Sequence, residues 1–215
     1  MNCVIFDLDG TLLYTLEGLF KSTNFALAKF GYQKRTIKEI EGFVGNGVQK
    51  LIERASEEKD PKITKGILEV FKEHYSKTMQ ENTKPYDGII ELLKKLNENA
   101  IICAVNSNKY HSATSELCEK YFKNLIMYAQ GETPDCPKKP DPTGVKLIMK
   151  KLNAKNVLYV GDSLVDIQTA KNAGIECISV CWGYCDKKIL QEYNKNIVQN
   201  PAELFEKILN YFKLS

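Results

Sequence analysis

Asp7 and Asp9 stand two positions apart at the end of an apolar run, in Cys3-Val4-Ile5-Phe6-Asp7-Leu8-Asp9-Gly10-Thr11-Leu12. Carboxylates so close disfavour simultaneous ionisation, so the pair raises one pKa or recruits a cation. The chemistry open to it is that of a metal-assisted nucleophile or an acid/base pair. An Asp-rich turn capping the next helix is the plainer alternative. Three further stretches carry matching groups: Asn106-Ser107-Asn108-Lys109, Lys139-Pro140-Asp141-Pro142 and Gly161-Asp162-Ser163-Leu164-Val165-Asp166. Taken singly, Ser107 reads as a turn residue, Lys139 as a solvated loop lysine, and Asp162 and Asp166 as decoration of a helix start. Taken together they supply four carboxylates, which repel strongly in a partly desolvated cleft and need a divalent cation to coexist. Hard oxygen ligands with room for water and phosphate suit magnesium. A lysine, a serine hydroxyl and main-chain N–H groups facing such an ion are donors for a phosphoryl group; a neutral ligand would need none of them.

For these residues to meet, they must sit at the ends of neighbouring strands. From Tyr86 onward the spacing predicts helices over 88–97, 111–121, 143–152 and 164–173, alternating with strands over 101–105, 125–129, 157–160 and 177–180. With the first strand they make an α/β fold: a Rossmann-like parallel sheet with helices on both faces, because strands this uniformly apolar require burial on both sides. Ligands of such sheets bind beyond the carboxyl ends of the strands, where the candidate residues fall. Between the first strand and residue 82 strand-like runs vanish. Leu16, Leu19, Phe20, Thr23, Ala26, Leu27 and Phe30 share one face of a helix stopping near Gly31. Val48, Leu51, Ile52 and Ala55 form a second stripe after the Gly45-Asn46-Gly47 turn, and a third helix is expected over 63–75 after Pro61. The expected organisation is a core of residues 1–14 and 83–215 carrying an inserted all-helical domain over 15–82. Asn200-Pro201 caps a last helix bearing Leu204, Phe205, Ile208 and Phe212.

Composition narrows the functional classes. The chain has 215 residues, 43% hydrophobic and 27% charged, ordinary for a globular protein able to bury a core. A net charge of +3, with lysines interleaved among glutamates, makes no case for nucleic acid. No apolar run approaches a membrane span and no basic-then-apolar leader is evident, so neither membrane nor secretion is expected. Seven cysteines, an odd number without a secretory signal, point to a reducing compartment and a cytoplasmic location. Cys181 and Cys185 have CxxxC spacing with no second pair, which favours neither a redox nor a zinc role.

The four stretches, in this order and each at the end of its expected element, resemble the motifs of the haloacid dehalogenase superfamily, and the helical insertion resembles the cap of its phosphoglycolate phosphatase and beta-phosphoglucomutase subgroup. The resemblance covers nearly the whole chain. It implies a magnesium-dependent phosphatase acting on a small phosphomonoester, with Asp7 as nucleophile forming an aspartyl-phosphate and Asp9 as acid and then base. Asp7, the main-chain carbonyl of Asp9, and Asp162 would hold magnesium, Asp166 would order the metal's waters and Lys139, and Ser107, Asn108 and Lys139 would bind the phosphoryl group. Asp9 argues for phosphoryl transfer, since the family's dehalogenases lack that second aspartate. Phe43-Val44-Gly45-Asn46-Gly47-Val48, Leu51-Ile52-Glu53-Arg54-Ala55 and Trp182-Gly183-Tyr184 resemble phosphoglycolate phosphatase segments. Main-chain N–H groups at Gly45, Asn46 and Gly47, with Lys50 and Arg54, are therefore the candidate carboxylate site on the cap. Two features depart from the pattern: Tyr14 stands where an aspartate is common, and no histidine lies on the first cap helix, so a mutase is disfavoured. The alternatives are beta-phosphoglucomutase-like or pyrophosphatase activity and, outside enzymes, a phosphoaspartate receiver-type switch. A monomer or homodimer is expected.

Overall fold

A computed structural model describes residues 1–214, which form two compact units: Met1–Leu13 with the chain from Pro85 onward, and Tyr14–Lys84. The first unit holds a six-stranded sheet of β1 (Asn2–Phe6), β4 (Ile102–Tyr110), β5 (Tyr128–Glu132), β6 (Asn156–Gly161), β7 (Glu176–Val180) and β8 (Ile197–Val198). Its strand order is β5-β4-β1-β6-β7-β8, and every pairing is parallel. From β1 the order first grows outward through β4 and β5, then resumes on the opposite side with β6. That reversal opens a crevice at the carboxyl ends of β1 and β6, the place where open parallel sheets bind ligands.

Helices α5 (Ile89–Glu98), α6 (His111–Phe122), α7 (Thr143–Lys151), α8 (Leu164–Ala173), α9 (Lys187–Tyr193) and α10 (Pro201–Phe212) complete this unit. Cys3, Ile5, Ala104, Val157 and Tyr159 of the central strands pack with Val145 and Ile148 of α7 and Ala170 of α8 in one core cluster. Val4 and Phe6, equally buried, point to the other face because side chains alternate along a strand. The second unit is helical: α1 (Leu16–Lys29), α2 (Ile37–Phe43), α3 (Val48–Ser56) and α4 (Pro61–Thr78), with α1 packed along α4. Two-residue strands, β2 (Leu13–Tyr14) and β3 (Lys84–Pro85), lie where the chain passes from one unit to the other.

Several elements differ from the sequence expectation for identifiable reasons. The strand expected over 125–129 begins three residues later, because Phe122 O accepts hydrogen bonds from the N–H groups of Leu125 (2.8 Å) and Ile126 (3.1 Å) and closes a turn there. The strand expected to end at residue 105 continues to Tyr110 through a shift of register against β5 between Asn106 and Tyr110. Helix α2 was not anticipated, although Thr36 and Glu39 form the reciprocal bonds of a capping box at its start. Helix α9 and strand β8 are likewise additional. Just past α1 Phe30 is 40% exposed, and on α1 Phe20 is only partly buried, whereas Thr23 is buried as expected and Ser22 and Asn24 join the buried face.

Candidate active site

The acidic stretch folds as it does because β1 ends at Phe6 and the chain then turns tightly. Leu8 O accepts from the N–H groups of Leu12 and Leu13 at 3.0 and 2.9 Å, and Gly10 donates to Leu13 O at 2.9 Å. Asp7, which donates its N–H to Val160 O of the neighbouring strand at 2.8 Å, is 7% exposed. Gly10 has φ of 88°, and a Cβ there would lie 2.4 Å from Asp162 Oδ2, so both its backbone and its lack of a side chain are required.

Four of the candidate side chains meet at the β1/β6 crevice. Lys139 Nζ lies 2.7 Å from Asp7 Oδ1 and 2.7 Å from Asp166 Oδ1, with its side chain 3% exposed. Asp7, Asp162 and Asp166 each bring one carboxylate oxygen within 4.8 Å of the others. Asp166 is also the first-turn acid of α8: its Oδ2 accepts from Ser163 N at 3.0 Å and Ser163 Oγ at 2.6 Å. Asp162 accepts from the Thr11 hydroxyl (2.9 Å) on Oδ1 and from the main-chain N–H of Tyr184 (2.8 Å) on Oδ2. Trp182 Nε1 donates to Thr11 O at 3.0 Å, so the segment after β7 braces both the first loop and Asp162.

Three buried carboxylates face one ammonium, and the electrostatics register the excess. Burial pushes the Asp7 carboxyl well above the usual range, outweighing the pull of Lys139, and Asp166 and Asp162 add to the rise. Burial, then Asp166, pushes Asp162 up to about 7 against the opposing Tyr184 N–H and Thr11 hydroxyl. Burial alone would lower Lys139, but the Asp166 and Asp7 carboxylates outweigh it and hold the ammonium well above its ordinary value. A cluster in this state is relieved by a further cation. Hard oxygen donors of this kind fit magnesium, and the bonding divides the carboxylates. Asp166 has three donors already on its two oxygens, whereas Asp162 has one on each and keeps a lone pair free on both.

Of the remaining core candidates, Ser107 and Asn108 are buried toward the end of β4. Ser107 Oγ accepts from Lys109 N at 3.2 Å. Asn108 pins the lysine loop from both sides, with Oδ1 accepting from Lys139 N (2.6 Å) and Nδ2 donating to Lys139 O (3.3 Å). Asp9 Oδ2 lies 3.2 Å from Lys109 Nζ, whose side chain is 1% exposed. Sequence reasoning gave no role to Lys109, Thr11 or the Tyr184 N–H. The available signal for Lys109 was a lysine within a run that continues a buried strand, since a lysine is almost never fully buried without a partner.

In the helical unit, Gly47 with φ of 82° caps α3. Arg54 reaches back along α3 to Phe43 O (3.1 Å) and Asn46 Oδ1 (2.9 Å), bracing the Gly45-Asn46-Gly47 loop. Lys50 pairs with Glu53 at 2.6 Å on an exposed face. The loop and Arg54 are thus one local structure, whereas Lys50 pairs within α3.

Comparison with known proteins agrees with this geometry. The family model of the haloacid dehalogenase-like hydrolases matches residues 4–180. A phosphoglycolate phosphatase of Mesorhizobium japonicum is 30% identical over 221 residues, covering 96% of this chain and 96% of that protein. One from Cereibacter sphaeroides is 33% identical over 190 residues, covering 86% and 87%. Among solved structures, a Lactobacillus delbrueckii subsp. bulgaricus protein, provisionally assigned as a phosphoglycolate phosphatase, superposes with a TM-score of 0.89 at 31% identity, over 96% of this chain and 98% of that one.

Proposed function

The chain belongs to the haloacid dehalogenase-like hydrolase family and is a phosphatase, and from that premise we propose that it hydrolyses a small carboxylated phosphomonoester of the 2-phosphoglycolate kind, using magnesium and an aspartyl-phosphate on Asp7. The observation that carries the reading is the Lys139 ammonium bridging Asp7 and Asp166 beside Asp162. The substrate class is supported by relatives that bear the phosphoglycolate phosphatase name along nearly their whole length.

In this mechanism an Asp7 carboxylate oxygen attacks phosphorus in line, and the bond from phosphorus to the ester oxygen breaks. Asp9 gives the departing alkoxide its proton. A water then attacks the aspartyl-phosphate, Asp9 takes the water's proton, the Asp7 acyl-phosphate bond breaks, and inorganic phosphate leaves with Asp7 restored. Lys139 and Ser107, with main-chain N–H groups at the end of β4, neutralise the phosphoryl oxygens. Asp7, Asp162 and the Asp9 carbonyl would hold magnesium, which supplies positive charge against those same oxygens. Asp166 fixes Lys139 and, through its Ser163 bonds, stays rigid.

On the helical unit, the main-chain N–H groups of Gly45, Asn46 and Gly47 at the start of α3 are the proposed carboxylate donors, with the Arg54 brace holding the loop's shape. Turnover of 2-phosphoglycolate, hexose phosphates, nucleoside monophosphates and pyrophosphate with magnesium tests the substrate class, with 2-phosphoglycolate expected to be hydrolysed best. Asp7→Asn should lower turnover by about a thousandfold or more while the thermal transition is retained, and EDTA should abolish activity until magnesium is returned. Substantial turnover by Asp7→Asn, or activity indifferent to chelation, would refute the mechanism.

A further inference from the structure

Lys109 is a buried cation that the phosphoryl chemistry above leaves unused. The register shift between Asn106 and Tyr110 carries it past the regular part of β4. Its main chain is tied down on both sides: its N–H donates to Ser107 Oγ at 3.2 Å and its carbonyl accepts from Thr114 Oγ1 at 3.3 Å. A Cβ at Gly131 of β5 would lie 2.6 Å from that carbonyl, so the glycine permits the close approach that sets the lysine's height at the strand end. The side chain, 1% exposed, then places Nζ 3.2 Å from Asp9 Oδ2. Asp9 Oδ1 is buried and makes no hydrogen bond among the described residues.

The two oxygens of Asp9 are therefore unlike. Rotation about the bond to an unrestrained carboxyl group exchanges its oxygens, and each exchange misaligns a donor that must sit within hydrogen-bond reach of the reacting oxygen. A buried ammonium does not give up a carboxylate partner cheaply, so its pairing with Oδ2 opposes that rotation. Resting on the acid/base role assigned to Asp9 above, we propose that Lys109 is a positioning residue for that aspartate. It holds Oδ2 and so makes Oδ1 the atom that hands the proton to the leaving alkoxide and afterwards accepts one from the hydrolytic water.

Leaving-group dependence tests the assignment, because an alkoxide needs the proton and a nitrophenolate does not. In Lys109→Met, kcat for 2-phosphoglycolate should fall about 10- to 100-fold with KM within about threefold of the parent. In the same variant the first-turnover release of nitrophenolate from para-nitrophenyl phosphate should stay within about threefold, since that step needs no acid. Lys109→Arg should restore part of the loss; Lys109→Gln replaces the Met variant if the latter does not fold. Equal losses on both esters, or no loss on either, overturn the inference. Asp9→Asn serves as the control. If it discriminates between the two esters and the Lys109 variants do not, the positioning inference alone falls. If Asp9→Asn does not discriminate, the acid/base reading falls and takes this inference with it.

Discussion

Asp162 gives the metal-free protein a stability that should fall as pH rises through neutrality, opposite to the usual behaviour of a paired carboxylate. Its carboxyl is raised from 3.8 to about 7 by burial and then by Asp166, and at 2% exposure there is no solvent to screen it. The folded value lies above the unfolded one. The associated stability is therefore fully present below the unfolded value and is lost as pH climbs through the folded one. Each pH unit inside that window is worth about 1.4 kcal/mol, so the complete effect is about 4 kcal/mol, and the part between about pH 5.5 and about pH 8 is about 2 kcal/mol. Asp7, pushed up by the same burial, adds in the same direction. Lys139, raised by its carboxylate neighbours beyond the opposing effect of burial, is ammonium throughout that window, and the exposed Glu39, Glu58 and Glu73, lowered by their local hydrogen bonds, titrate below it. Urea unfolding in EDTA at several pH values measures the slope. On the proposed function magnesium would bind the ionised carboxylates, so saturating magnesium should flatten it, adding about 2.7 kcal/mol at a hundredfold excess over its dissociation constant. Asp162→Asn in EDTA should lose much of the slope. Metal-free stability that is level or rising from about pH 5.5 to about pH 8, or an unchanged slope in Asp162→Asn, would refute the electrostatic reasoning.

Two substitutions probe the packing around the same cluster. Lys139→Met removes the cation between Asp7 and Asp166 and should destabilise the metal-free protein by about 3–5 kcal/mol, read from the shift of its urea midpoint, while also lowering turnover; a change below about 1 kcal/mol would show that the carboxylates do not depend on it. Gly183→Ala would place its Cβ 2.3 Å from Asp162 Cβ and Oδ2, so a magnesium titration of activity should need a several-fold higher midpoint, and an unaltered midpoint would separate this segment from the metal site.

How legible each feature is in the sequence follows from how local its cause is. The strands β1, β6 and β7 declare themselves through short apolar runs, because burial on both faces favours apolar residues over most of each strand. The same rule misplaced β5, since Leu125, Ile126 and the 68%-exposed Met127 are apolar yet lie in a turn, and residue type alone cannot register that Phe122 O has captured two of their N–H groups. Helix α2 is legible only from Thr36-Ile37-Lys38-Glu39, a local capping signature, because it carries no long apolar stripe. Asp7 and Asp162 could be named because each directly follows a strand whose end is set locally, and Ser107 and Lys139 because each stands in a short polar stretch between expected elements. The pairing of Lys109 with Asp9 is different in kind. It exists because β4 lies beside β1 and shifts register past Asn106, so a lysine a hundred positions away arrives at one particular oxygen. Likewise the Tyr184 N–H contributes no side-chain signal at all, being a donor that every residue but proline possesses. Residue types could therefore nominate the groups that touch the phosphoryl unit, but only the strand order and the register shift reveal which groups aim them. The control of Asp9 is accordingly expected to lie in that second set.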